Sequence, residues 1–252
     1  MYPTSIISAK GKKKITSITA YDYSMAGIIN DTDIDIILVG DSLGNVILGH
    51  KDTIGVTLSD MIHHGKAVVK GAPDKLVIID MPFMSISMGL EKSLENVMNV
   101  MQQTGAHGVK IEGGRENIDL IRMLKTAGVP VMGHLGLTPQ SYLRLGGYKI
   151  QGNTEKSASE IFNDAKALEE AGVFSIVLEC VNEELSKKIT KELKIPTIGI
   201  GSGNITDGQV LVINDLLGFT KNKVPSFVKP KLNLYEDIKK AVNEFTQDVR
   251  GN

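Results

Sequence analysis

The chain has 252 residues, and its 28 basic and 29 acidic side chains leave a formal net charge of -1, which excludes a strongly basic nucleic-acid binder. Its 42% apolar content can fill a large core, and no apolar run approaches a membrane span. Its single cysteine, Cys180, permits no internal disulfide and suits a reducing cytoplasm, so a cytoplasmic setting is expected.

The length matches one (β/α)8 barrel, and no linker-like tract interrupts it, so residues 1–252 are expected to form one catalytic domain. Lys10 and Lys12 to Lys14 make the one basic run, read as a solvated edge and not as the start of a signal peptide. Ile15 to Ala20 reads as the first strand, Ser24 to Asn30 as a short helix, and Ile34 to Val39 as a strand buried on both faces. A glycine-punctuated loop, Leu43 to Thr53, follows. Thr57 to Lys70 is predicted helical, with cap candidates in Thr57 to Asp60 and an apolar stripe through Met61, Ala67 and Val68. His63 and His64 fall within it and are read as surface or packing residues.

Lys75 to Asp80 is the third strand. The helix Glu91 to Thr104 is expected to bury Leu94, Val97, Met98 and Met101. His107 to Glu112, Pro130 to His134, Val173 to Glu179, Ile195 to Ile200 and Val210 to Leu217 are strands four to eight. Helices Arg115 to Ala127, Ser157 to Ala171, Asn182 to Leu193 and Leu234 to Val249 alternate with them or close the chain. The long polar stretch Leu135 to Thr154 reads as a lid or binding loop. Strand alternating with helix at this spacing calls for parallel strands with helices outside. A closed eight-stranded barrel fits better than the runner-up, a doubly wound sheet.

Four strands end on an acid, at Asp41, Asp80, Glu112 and Glu179. One such acid can cap the next helix. Four in succession argue for a common mouth at the carboxyl ends of barrel strands. Asp41, Asp80 and Glu112 lie on consecutive strands, and three close carboxylates repel one another unless a cation joins them. A hard divalent ion such as Mg2+ suits an oxygen set, and few histidines or cysteines are placed for zinc. Lys110, two residues before Glu112, shares its face and can aim a positive charge at whatever the mouth holds. Glu179 is placed to exchange a proton, and His134 to bind substrate or orient a ligand, or simply to be a satisfied structural histidine. Cys180 reads as a small apolar residue. Gly199 to Asn204, "GIGSGN", is either a phosphate cradle or a tight turn.

The segments "TAYDYSMA", "DIILVGDSLGNVILGHKDTIGVTLSDMIHH", "VIIDMPFMS", "GAHGVKIEGG", "GVPVMGHLGLTPQS", "GGYKIQG", "IVLECV", "IPTIGIGSG" and "DGQVLVINDLLG" resemble, in order over about residues 14 to 230, the ketopantoate hydroxymethyltransferase (3-methyl-2-oxobutanoate hydroxymethyltransferase) family of pantothenate synthesis. The resemblance implies a (β/α)8 barrel of the phosphoenolpyruvate/pyruvate-type superfamily. It implies transfer of a hydroxymethyl group from 5,10-methylenetetrahydrofolate to 3-methyl-2-oxobutanoate, giving 2-dehydropantoate. Carried over residue by residue, it implies Mg2+ on Asp41, Asp80 and Glu112, keto-acid contacts at Asp41, Ser42, Asp80 and Lys110, and a proton acceptor at Glu179. Members are commonly decamers of two five-membered rings, so a homo-oligomer is expected.

The chain departs from the family's usual residues at His50, Thr206 and Asn214, and after "FVK" it lacks the common aromatic. None of these touches a proposed catalytic group. Three other classes stay open on sequence alone: a metal-dependent C–C lyase or aldolase on another 2-oxo acid, a non-catalytic barrel, and a phosphate- or flavin-binding barrel using "GIGSG". The first should carry a cysteine-bearing loop that is absent here, and the second should have damaged acids.

Overall fold

The computed structural model describes residues 2–147, 149–221 and 224–251. The chain divides into two compact units, Met1–Val210 and Leu211–Asn252. The first is built on β1 (Ile15–Thr19), β2 (Ile36–Val39), β3 (Leu76–Asp80), β4 (Gly108–Glu112), β5 (Val131–Gly136), β6 (Ser175–Glu179), β7 (Thr197–Ile200) and β8 (Gly208–Leu211). These strands close into a barrel in sequence order. Each consecutive pair from β1–β2 to β7–β8 is parallel, with Asp80 opposite Lys110, Glu112 opposite His134 and Gly136 opposite Glu179.

Helices stand before and between the strands: α1 (Pro3–Ala9), α2 (Tyr23–Asn30), α3 (Leu43–Val46), α4 (Leu58–Gly71), α5 (Leu90–Thr104), α6 (Ile118–Thr126), α7 (Tyr142–Leu145), α8 (Glu155–Ala171) and α9 (Glu183–Glu192). The second unit carries α10 (Ile213–Leu216) and α11 (Leu234–Arg250).

The β-branched runs of β2 and β3 are buried throughout, as expected for a sheet covered on both faces. One parity of β2, β3, β5, β6, β7 and β8 fills the lower barrel: Ile36, Leu38, Leu76, Ile78, Met132, Val177, Ile198 and Val210 share a cluster with Ile6 and Ala9 of α1. Alternation then sends Asp80, His134 and Glu179, two residues beyond Ile78, Met132 and Val177, into the same interior one layer higher. So the lower barrel is apolar and its carboxyl end is polar. Helix starts follow local chemistry. Thr57 and Asp60 form the capping box of α4, Thr154 and Ser157 that of α8, and Asn182 caps α9.

The structure departs from the sequence expectations in several places. The loop after β2 contains α3, and the polar stretch after β5 begins as strand and continues as a short 3-10 turn and α7. Residue 148 of that stretch lies outside the described residues. The eighth strand ends at Leu211, and Ile213 to Leu216 is helical. An apolar run of that length does not distinguish strand from helix by periodicity alone.

On α5 the buried positions are Ser93, Asn96, Val97, Val100 and Thr104, while Met98 is 46% exposed. The buried polar groups are satisfied by carbonyls: Ser93 donates to Gly89 O, Asn96 to Ser85 O and Thr104 to Val100 O. Small polar side chains with internal partners therefore take the inner face that an apolar count assigns to methionine.

The basic run is also more than a solvated edge. Lys10 pairs with Asp207 at 2.6 Å, Lys13 with Asp35 at 2.5 Å, and Lys14 donates to Thr206 O. Asp35 also accepts from Thr16 N and Oγ1, and Asp207 from Thr197 N. Two Lys–Asp pairs thus tie the entering ends of β1, β2, β7 and β8.

Candidate active site at the carboxyl end of the barrel

Asp80, Lys110, Glu112, His134 and Glu179 converge where β3 to β6 end. Lys110 Nζ stands 3.0 Å from Asp80 Oδ1 and 3.0 Å from His134 Nδ1. His134 lies between two acids, with Nδ1 3.4 Å from Glu112 Oε1 and Nε2 3.2 Å from Glu179 Oε2. Asp41 enters from the turn after β2, its backbone N–H donating to Asp80 Oδ2 at 3.0 Å. Ser42 shares a 2.8 Å hydrogen bond with the Tyr21 hydroxyl, and His64 Nδ1 bonds the Tyr21 carbonyl. The structure therefore brings together all seven residues singled out from sequence: Asp41, Ser42, Asp80, Lys110, Glu112, His134 and Glu179.

Most of these groups are deeply buried. Lys110 is 4% exposed, and the side chains of Asp80, Glu112 and His134 are as well covered. Only the Glu179 side chain, 18% exposed, opens appreciably toward solvent. Burial raises the Asp41 carboxyl well above its usual range, and the Asp80 and Glu112 charges add to the rise. Burial also raises Asp80, against the opposing pull of Lys110. For Lys110 the burial penalty is outweighed by Asp80, Glu112 and Asp41, which hold the ammonium charged. Burial and Lys110 press His134 downward, but Glu112 and Glu179 prevail and lift it to about 9. For Glu112 the penalty of burial is overcome by His134, Lys110 and the Gln140 N–H, which lower it.

The cluster sets four carboxyl groups, Asp41, Asp80, Glu112 and Glu179, against two cationic ones, Lys110 and His134. Asp80 Oδ1 and Glu112 Oε1 are buried, and although each lies near a cationic group, neither has a directed hydrogen bond. A hard divalent cation fits oxygens of this kind, because it accepts one or two carboxylates and completes its shell with water and substrate oxygens. As the side chains stand, no group of three His, Cys, Asp and Glu among the described residues is placed as a ready-made ligand set.

Gln140 is a site residue that sequence reasoning did not single out, although it lies inside the quoted "GHLGLTPQS" segment. Its Nε2 donates to Asp41 Oδ2 at 2.8 Å and to Met81 O at 2.9 Å, and its backbone N–H donates to Glu112 Oε2 at 3.1 Å. Two residues on, Tyr142 donates to Asp52 in the loop after α3.

The glycine-rich stretch after β7 behaves as a turn. Ser202 Oγ donates to Leu178 O and accepts from Val181 N, so its hydroxyl is committed to β6. Cys180 follows Glu179 with φ of 47°, a left-handed conformation that non-glycine residues seldom adopt. Burial pushes its thiol up to about 11, with Glu179 adding to the rise, so it is not a neutral-pH nucleophile. Gly136 has φ of 95°, and a Cβ there would meet Glu179 O at 2.3 Å. Its missing side chain lets β5 run tight against the end of β6, where Leu137 N donates to Glu179 O.

The family model described as ketopantoate hydroxymethyltransferase matches residues 3–252. Three relatives are named 3-methyl-2-oxobutanoate hydroxymethyltransferase. The protein from Bdellovibrio bacteriovorus is 54% identical over 94% of this chain and 90% of its own length. That from Thermotoga maritima is 52% identical over 96% and 89%, and that from Syntrophus aciditrophicus 48% identical over 98% and 92%. Among solved structures, 2,3-dimethylmalate lyase, a member of the PEP mutase/isocitrate lyase superfamily, aligns with TM-score 0.65 at 15% identity over 98% of this chain and 85% of that chain. A phosphonopyruvate hydrolase complex with oxalate and Mg++ aligns with TM-score 0.63 at 10% identity over 98% and 99%. These two likenesses speak to the fold.

Proposed function

The chain belongs to the ketopantoate hydroxymethyltransferase family, and on that premise we propose that it transfers a hydroxymethyl group from 5,10-methylenetetrahydrofolate to 3-methyl-2-oxobutanoate, forming 2-dehydropantoate, the first step of pantothenate synthesis. The observation that carries the reading at the site is a buried Lys110 ammonium inside a set of three buried acids at the barrel mouth. Burying a charge costs several kcal/mol unless it is paired, so a cation-and-acid cluster with no structural need is expected to serve chemistry.

Asp41, Asp80 and Glu112 would hold a Mg2+ ion. When bound, such a cation supplies positive charge to the keto oxygen of the substrate and acidifies its C3 proton. Lys110, held charged by its neighbours, offsets negative charge as it develops on that oxygen. Ser42, its hydroxyl fixed by Tyr21, hydrogen-bonds the substrate carboxylate. Glu179, the most open of the acids, takes the C3 proton, and C3 bonds to the one-carbon unit of the folate; both C–N bonds of that methylene break, water supplies the hydroxyl oxygen, and the two nitrogens of tetrahydrofolate leave carrying the C3 proton and one proton of the water. His134 keeps Glu179 and Glu112 in place from between them.

No helix among the described residues is long and apolar enough to cross a membrane. A cytoplasmic enzyme acting on small molecules follows from the reading. It also includes a homo-oligomer, a decamer by family likeness, which the apolar face of α11 supports, where Ile238, Val242, Phe245 and Val249 are exposed at helical spacing.

The test is formation of 2-dehydropantoate from 3-methyl-2-oxobutanoate and methylenetetrahydrofolate, with and without EDTA. Product that depends on both substrates and disappears with EDTA is expected. No product under any condition would overturn the activity, and full turnover by metal-free protein would overturn the metal.

A further inference from the structure

Most of the polar groups at the mouth come from strand ends, but one comes from the loop after β5. Gln140 reaches across three neighbouring strand ends at once: Asp41 after β2, Met81 after β3 and Glu112 on β4. Both hydrogens of its carboxamide nitrogen are used, one on a carboxylate and one on a main-chain carbonyl.

The pattern of oxygens is selective. Gln140 takes Oδ2 of Asp41 and Oε2 of Glu112, one oxygen from each carboxylate. The other Glu112 oxygen, Oε1, is buried and faces His134 Nδ1 at 3.4 Å, too loosely for a directed hydrogen bond. A donor that occupies one oxygen of a carboxylate fixes the rotation of the group and so aims the second oxygen. Outer partners of this kind orient metal-binding carboxylates, and losing them typically costs 10- to 100-fold in metal affinity.

We propose that Gln140 is a positioning residue that orients the Asp41 carboxylate, and with its main-chain N–H the Glu112 carboxylate, for a divalent cation. This rests on the metal-dependent reading above. The Met81 carbonyl is the anchor that keeps the carboxamide from following Asp41, so the loop after β5 acts as a fixed clamp across the mouth. Tyr142, bonded to Asp52, ties the same loop down two residues further along.

The experiment is Mn2+ binding followed by electron paramagnetic resonance on the full chain, without substrates, for wild type, Gln140→Ala, Gln140→Leu and Asp80→Ala. Gln140→Leu keeps bulk but removes both donors. Wild type should bind one Mn2+, and Asp80→Ala should not. Both Gln140 variants should bind 10- to 100-fold more weakly while melting within a few degrees of wild type in EDTA. The KM for the keto acid should rise in both, and the KM for the folate should stay put. Wild-type affinity in Gln140→Leu would mean that the residue only fills space, and would overturn the proposal while leaving the metal site intact. Absence of Mn2+ binding by wild type, or equal binding by Asp80→Ala, would overturn the metal site and the role of Gln140 with it.

Discussion

Lys110 Nζ and Asp80 Oδ1 face each other at 3.0 Å across the β3–β4 pair, both side chains 5% exposed or less. Removing Asp80 takes from the buried Lys110 ammonium its directly paired acid, leaving Glu112 and Asp41 as the remaining negative neighbours. Asp80→Ala should therefore do two things: abolish most activity and lower stability by about 3–5 kcal/mol, the usual cost of breaking a buried pair from one side. Urea unfolding in EDTA measures the second effect apart from any metal. A change below about 1 kcal/mol would show that water reaches Lys110 and that the pair is not truly buried.

Lys110 also distinguishes the two substrates. Its ammonium sits deep, beside Asp80 and His134, and on the proposed reading the small keto acid would bind there, under the larger folate. Lys110→Ala should weaken binding of 3-methyl-2-oxobutanoate more than that of the folate in calorimetric titrations. Equal losses for both would remove the assignment of Lys110 to the keto acid.

The opposite end of the barrel makes a stability prediction with no catalytic content. Asp35 accepts from Thr16 N at 3.0 Å and pairs with Lys13. Burial pushes its carboxyl up, but the Lys13 and Thr16 hydrogen bonds outweigh that and hold it below 3.8. A depressed carboxylate contributes stability that is present above its unfolded value and lost as pH falls through its folded value. The loss should therefore appear below about pH 4. Asp35→Ala leaves the Thr16 N–H without its acceptor, a cost of about 1–3 kcal/mol, and should flatten this part of the acid profile while kcat stays at wild type. Parallel melting and activity profiles from pH 3 to 7 would show whether the effect is confined to stability.

Cys180 tests the reading of the strand end beside Glu179. With its thiol near 11, only about one part in a thousand is thiolate at pH 8, so a thiol reagent should label native protein slowly and labelling should accelerate tenfold per pH unit above that. Fast labelling at pH 7 would place the thiol in an open, electropositive setting instead.

Much of the barrel was legible because parallel strands write themselves as short β-branched runs, and helices as capped amphipathic segments. The four strand-end acids were legible for the same reason: a carboxylate directly after a buried run has few places to go but the mouth. What escaped the sequence depended on long-range geometry. Gln140 acts from a loop and through hydrogen bonds to residues 99 and 59 positions away, which no local spacing reveals. The inner face of α5 was misjudged because Ser93, Asn96 and Thr104 are buried through their own backbone partners, so polarity did not signal exposure there. α1 went unread because its short, weakly patterned sequence acquires meaning only when Ile6 and Ala9 meet the bottom of the barrel. The burial of Lys110 and Asp80 against each other and His134 is likewise a tertiary fact.

Glu179 remains the residue whose role is most sharply testable. It ends β6, its Oε2 lies 3.2 Å from His134 Nε2, and it is the acid most open to solvent in the cluster. His134, lifted to about 9 between Glu112 and Glu179, fixes the orientation of the Glu179 carboxylate. Glu179→Gln keeps size and a hydrogen-bonding group but removes the charge that accepts a proton. Metal and keto-acid binding should stay near wild type, and kcat should fall by roughly 10²–10⁴, the range a positioned general base contributes. Exchange of the C3 proton of 3-methyl-2-oxobutanoate with deuterated solvent, measured without folate, isolates the proton step. If Glu179 removes that proton, the variant should lose exchange and turnover together. Exchange at the wild-type rate with diminished turnover would move Glu179 to the folate side of the reaction. Exchange and turnover both intact would strip it of any chemical role and leave its place beside His134 as structural support.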